Sequence, residues 1–150
     1  MAGVPFRPVA RLIALACLLL FVVVLVRTAW VSDDEYITFR TVENVARGQG
    51  LTWNVDERVQ TYTHPLWLFL LVAAHGLSGD LDFSSLALSM VLSVAAALLV
   101  MRVVATTPET GLLGAMLVVS SKAFVDFSTS GLENPLVHLL LALFFMGYWR

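Results

Sequence analysis

Charge is what this sequence has least of. Only 13% of its 150 residues are charged, with nine Lys and Arg set against eleven Asp and Glu and no basic cluster among them. A chain without a basic face has no footprint for a phosphate backbone, which excludes nucleic acid as a partner. Cysteine is nearly absent too: Cys17 stands alone, so no internal disulfide can form. Placed inside an apolar run, it reads as a small buried hydrophobe. There is no Walker loop, dinucleotide fingerprint, nucleophile elbow or zinc pattern, and with them goes any nucleotide-driven chemistry. What remains is apolar surface. Apolar residues make up 59% of the chain and the mean hydropathy is +0.84. An ordinary soluble domain is about half apolar and about a quarter charged, so lipid is the solvent this composition fits.

The apolar residues are gathered in runs. Residues 12–31 supply the roughly 20 positions needed to cross ~30 Å of hydrocarbon. The run is long for the core of a cleavable signal peptide, and further apolar segments follow at 83–101, 112–127 and 132–149. Residues 65–77 form a shorter segment, below the usual span. If it crossed the bilayer, Arg102 would face outward and Asp80 and Asp82 inward. If it lies on the outer surface, Arg7, Arg11, Arg102 and Arg150 share the cytoplasmic side, in keeping with the positive-inside tendency. The expected fold is therefore an all-α membrane protein with four spans, a cytoplasmic N-terminus and an outer loop over residues 32–82.

That loop holds most of the chemistry-bearing residues. Ser32-Asp33-Asp34-Glu35 has the spacing of a capping box, opening a helix that Gly48 would close. Tyr36, Phe39, Val42 and Val45 or Ala46 recur at helical spacing beyond it. Gly48 to Gly50 and residues 54–58 read as turns around a short strand-like Leu51-Thr52-Trp53. Adjacent carboxylates at Asp33 and Asp34, just past a span, can act as a general base or hold a divalent cation. They also suit a helix first turn by complementing its dipole. Thr61-Tyr62-Thr63-His64-Pro65-Leu66-Trp67 offers hydroxyls, an imidazole and two aromatics, the aromatics in the manner of interface anchors. His75 and His138 have no ligand spacing around them. A second polar break, residues 128–135, places Asn134 and Pro135 where a cap and first helical residue belong, with Glu133 on the same side as Asp33. Lys122 stands near the outer end of the third apolar segment, where an ionisable residue is a functional candidate.

Taken in order, Ser32-Asp33-Asp34-Glu35-Tyr36-Ile37-Thr38-Phe39-Arg40, Gly48 to Asn54, Glu57-Arg58-Val59, Tyr62 to Trp67 and Ser128 to Leu136 resemble the GT-C glycosyltransferases. The closest likeness is to the terminal arabinofuranosyltransferases of mycobacterial cell walls and their bacterial relatives. The resemblance implies the N-terminal portion of a GT-C-like module in the bacterial inner membrane, inactive by itself because such enzymes are several times longer. It implies transfer of a sugar, arabinofuranose by best analogy, from a polyprenyl-phosphate donor to a hydroxyl of an extracytoplasmic glycan or lipid. By the same carry-over, Asp33, Asp34 and Glu133 would be catalytic or bind a cation, while Arg40, Arg58, Tyr62, His64 and Lys122 would bind substrate. The alternative from another class is a non-enzymatic polytopic protein, a transporter half or an assembly subunit, whose acidic loop binds cations or a partner.

Overall fold

In a computed structural model, residues 6–57, 59–104 and 107–148 are described. Among these residues seven helices follow one another: α1 (Phe6–Thr28), α2 (Glu35–Ala46), α3 (Pro65–Ser78), α4 (Leu81–Val104), α5 (Pro108–Ser120), α6 (Lys122–Asp126) and α7 (Asn134–Tyr148). Helix α4 is the centre, packed against α3, α5 and α7, and α1 runs against α5.

Among the described residues, two helices are long and apolar enough to cross a membrane, Pro8–Thr28 and Leu81–Val103. On α1 the side chains of Leu12, Leu15, Leu19, Leu20, Val23 and Val26 are all exposed, while Phe21 and Leu25 are buried. Such a stripe of bare aliphatic surface is stable only against lipid or another apolar partner.

The other two expected spans take a different form. Residues 112–127 are divided between α5 and α6, because Ser121 leaves the helix (φ −76°, ψ 99°) and its hydroxyl accepts a hydrogen bond from Phe124 N, capping a new short helix. A serine that can satisfy a backbone donor locally competes with helix continuation. The last segment begins at Asn134, not at 132, since residues 127–133 are irregular.

The middle of that irregular stretch, residues 128–131, is buried, with Ser128, Thr129 and Ser130 at most 1% exposed. It lies against a row of small side chains on α4. Ser85, Ser89 and Ser93 recur every fourth residue and are themselves buried. Ser93 Oγ donates to Ser128 O (3.2 Å) and Ser85 Oγ to Gly131 O (3.5 Å). Non-helical backbone inside an apolar bundle is tolerated only where protein groups satisfy it, and Ser85 and Ser93 supply that service.

Among the described residues there is no strand. The strand expected at Leu51 to Trp53 is a chain of bends, because no second strand lies beside it to pair with. Its carbonyls are instead met from α2: Asn44 Nδ2 donates to Thr52 O (2.7 Å) and Trp53 O (3.0 Å). Helix α2 ends as expected near Gly48. Gly48 N donates to Val45 O and Gln49 N to Asn44 O, a pairing that requires the left-handed conformation Gly48 adopts (φ 74°).

Candidate functional site

One end of the bundle gathers the polar motifs. Ser32 N donates to Ser130 O (2.8 Å), joining the segment before α2 to the irregular stretch before α7. Trp30 Nε1 adds a second link to Asp126 O (2.9 Å). Tyr36 donates its hydroxyl to Asp82 Oδ1 (3.1 Å) at the start of α4, and this bond to a carboxylate holds the phenol pKa above its ordinary value. The two ends of α3 are tied to the same region: His64 meets Glu133, and Ser78 Oγ bonds Ser84 Oγ (2.5 Å).

Asp33 and Asp34 are exposed. Asp34 occupies the position before α2 with helical dihedrals and makes no side-chain cap. Both carboxylates are thus presented outward, beside but not inside the buried core of the site. Glu133 is half-buried, and its Oε1 lies 2.6 Å from His64 Nε2. With the imidazole protonated, this is a short ion pair whose two members come from opposite ends of the sequence's polar motifs.

The capping box expected at Ser32 and Glu35 does not form. Ser32 Oγ instead accepts from Asp34 N (3.4 Å), and Glu35 turns inward. Its side chain is fully buried, with Oε1 accepting from Trp67 Nε1 (3.3 Å) and Oε2 lacking any partner among the described residues. Burial pushes the carboxyl up to about 8; the nearby Glu133 charge adds to this and the Trp67 hydrogen bond opposes it. Trp67, expected as an interface anchor, is 1% exposed and also donates to Gly131 O (2.9 Å). For Glu35 the spacing held the signal. Glu35, Phe39 and Val42 fall at i, i+4 and i+7, so a helix that buries Phe39 and Val42 buries Glu35 with them.

The remaining candidates are placed elsewhere. Arg40 Nη2 donates to Asn54 Oδ1 (2.7 Å), its Nε to Trp53 O (3.1 Å), and its guanidinium lies 4.4 Å from the Trp53 ring centre. Lys122 is exposed and paired with Asp126 one turn on. Both are thus engaged in local contacts. Tyr62 is half-buried against the cluster of Phe39, Val42, Trp67, Leu68 and Leu71. Arg58 lies outside the described residues. No group of three or more His, Cys, Asp and Glu able to hold a metal occurs among the described residues. His138 packs its ring at a tilt against Phe124 (4.8 Å between ring centres), an ordinary packing role.

Fold and site together define an all-helical membrane protein with carboxylates gathered at one end of its helices. A curated terminal β-(1→2)-arabinofuranosyltransferase of Mycobacterium tuberculosis is 34% identical over 125 residues, covering 76% of this chain and 20% of that protein. The protein of the same name from Corynebacterium glutamicum is 31% identical over 114 residues, covering 69% of this chain and 16% of its own. The chain is thus related to these arabinofuranosyltransferases, and it spans about a fifth of the length of the curated relatives it matches. No family profile matches it, and no solved structure matches it.

Proposed function

We propose that this chain forms the catalytic membrane end of a GT-C-type glycosyltransferase that moves a sugar, arabinofuranose by analogy with its relatives, from a polyprenyl-phosphate donor to a glycan or lipid hydroxyl. The observation that carries the reading is the bond from Ser32 N to Ser130 O. It brings the Asp33-Asp34 segment and the Glu133-His64 pair to one end of the bundle, although they are far apart in sequence.

Sugar transfer requires a base for the acceptor hydroxyl and a stable departing phosphate. An exposed carboxylate at Asp33 or Asp34 takes the hydroxyl proton as the acceptor oxygen bonds to the anomeric carbon. The bond from that carbon to phosphate breaks, and polyprenyl phosphate leaves. Glu133, held by His64, orients the acceptor. In this reading residues 32–82 and 127–134 face the extracytoplasmic side, four segments span the inner membrane, and α3 lies in the interface. The anchoring of both ends of α3 at one end of α4 and α7 supports that placement.

The test is transfer from a radiolabelled polyprenyl-phosphate sugar by membranes expressing the complete reading frame. Asp33→Asn and Asp34→Asn leave melting nearly unchanged, since a lost helix-dipole contact costs about 0.3 to 1 kcal/mol. At least one of them lowers the transfer rate by ~10² to 10⁴, as expected for a general base. Near-full activity in both variants overturns carboxylate catalysis here.

A further inference from the structure

The far end of α2 carries a polar cleft that the proposed chemistry does not use. Tyr36, Arg40 and Glu43, with Arg47 at the C-cap, recur at i, i+4, i+7 and i+11, a stripe beside the face that buries Phe39 and Val42. The loop after α2 folds back over this stripe. Between them lies a cavity of about 490 Å³, lined from α2 by Arg40, Glu43 and Arg47 and from the loop by Gln49, Trp53 and Asp56. A second cleft of about 370 Å³ shares Arg40 and Glu43 and reaches Tyr36 and Asp82, so the two adjoin along α2 toward Asp34.

The walls are fixed before any ligand arrives. Arg40 bonds Trp53 O and Asn54 Oδ1 and lies 4.4 Å from the Trp53 ring centre. Asn44 Nδ2 holds the carbonyls of Thr52 and Trp53, and Asn54 Nδ2 donates to Glu57 Oε2 (3.1 Å). A site built in advance gives up little freedom on binding.

Charge and polarity decide what fits. Arg40 and Arg47 are matched by Glu43 and Asp56, and Arg47 lies 2.9 Å from Glu43. A phosphate needs cations that are not already neutralised. An acyl or prenyl chain needs apolar walls, and here only Trp53 and Val55 supply them. A neutral polyol suits the cavity better: its hydroxyls exchange hydrogen bonds with amides and carboxylates, and the C–H face of a sugar ring lies against the electron-rich face of an indole. Gln49 and Asp56 are exposed and make no side-chain hydrogen bond among the described residues, so both are available to such a ligand.

We propose that the cleft between α2 and the loop of residues 49–56 is a subsite for a neutral oligosaccharide, gripping the acceptor glycan at units remote from the reacting hydroxyl. The inference rests on the sugar-transfer reading given above. From Asp34 to Asn44 the helix rises roughly 15 Å, further than one sugar ring extends. A short acceptor therefore reaches the carboxylates without touching Trp53, whereas a longer one reaches both by way of the adjoining cleft.

The experiment uses the full chain in detergent, with an arabinofuranosyl disaccharide and a long arabinofuranosyl oligosaccharide as probes. Trp53→Ala should raise the KM for the long acceptor about tenfold, the loss typical of a truncated aromatic anchor. Its kcat, the KM for the lipid donor and the KM for the disaccharide should stay unchanged, since only uniform binding of the remote units is removed. Gln49→Ala and Asp56→Ala, at exposed positions that do not hold the loop, should raise the same KM several-fold. Equal effects on long and short acceptors, or a change in kcat or donor KM instead, overturn the proposal. Calorimetric titration of the long oligosaccharide without donor separates the two readings. If no protein transfers sugar but Trp53→Ala weakens this binding about tenfold, the catalytic reading falls and the subsite stands. If transfer proceeds and all three variants bind and use the long acceptor like the wild type, the subsite falls alone.

Discussion

Replacing Gly131 by alanine tests the packing of the site directly. Two costs arise. The first is backbone: at φ 84° an L-residue pays about 1 to 2 kcal/mol. The second is steric. The added Cβ would stand 2.8 Å from Glu35 Cγ, and Glu35 cannot swing clear, because its own Cβ is 3.2 Å away and fixed by α2. Overpacking of this kind adds about 1 to 3 kcal/mol. Gly48 is the control, since it has a similar φ of 74° and nothing within 4 Å of its added Cβ. At roughly 2 to 4 °C per kcal/mol for a chain of this size, Gly48→Ala should lower the melting temperature in detergent by only a few degrees. Gly131→Ala should lower it by about 5 to 15 °C. A double-mutant cycle with Glu35→Ala should recover the steric share, because removing Cγ removes the clash. If Gly131→Ala and Gly48→Ala were equally mild, or if the cycle showed no coupling, Glu35 would not lie beneath Gly131.

Two further expectations concern the surroundings of the site. Arg40→Lys loses the planar stack on Trp53 and the paired hydrogen bonds to Trp53 O and Asn54, so limited proteolysis should cut residues 51–57 several-fold faster; an unchanged rate would show that Arg40 does not hold the loop. For topology, a membrane-impermeant thiol reagent on intact cells should label Gly79→Cys and spare Thr107→Cys in a Cys17→Ser background, and the reverse pattern would show that α3 crosses the membrane.

Composition and run length were sufficient to call a helical membrane protein, because the number of apolar residues that spans hydrocarbon is set by bilayer thickness and helix rise alone. Turn chemistry at Gly48 was equally local: only the residue type decides whether a left-handed turn is cheap. The acidic motifs were legible as well, since Asp33, Asp34 and Glu133 each stand at a polar edge of an apolar run. What local pattern could not decide was which acid turns inward. Ser32 and Glu35 have the spacing of a capping box, and the sequence favours that reading on nearest-neighbour grounds. Tertiary packing overrode it, because α2 buries the face that carries Phe39 and Val42, and Glu35 lies on that face with Trp67 ready to donate. The buried course of 128–131 was likewise decided by α4, whose Ser85 and Ser93 bond its carbonyls. Hydropathy averages over such a row, since serines at every fourth position among Leu, Ala, Met and Val still sum to an apolar helix. The pairing of His64 with Glu133 depends on how far two polar breaks are folded together, and no spacing within either one encodes that distance.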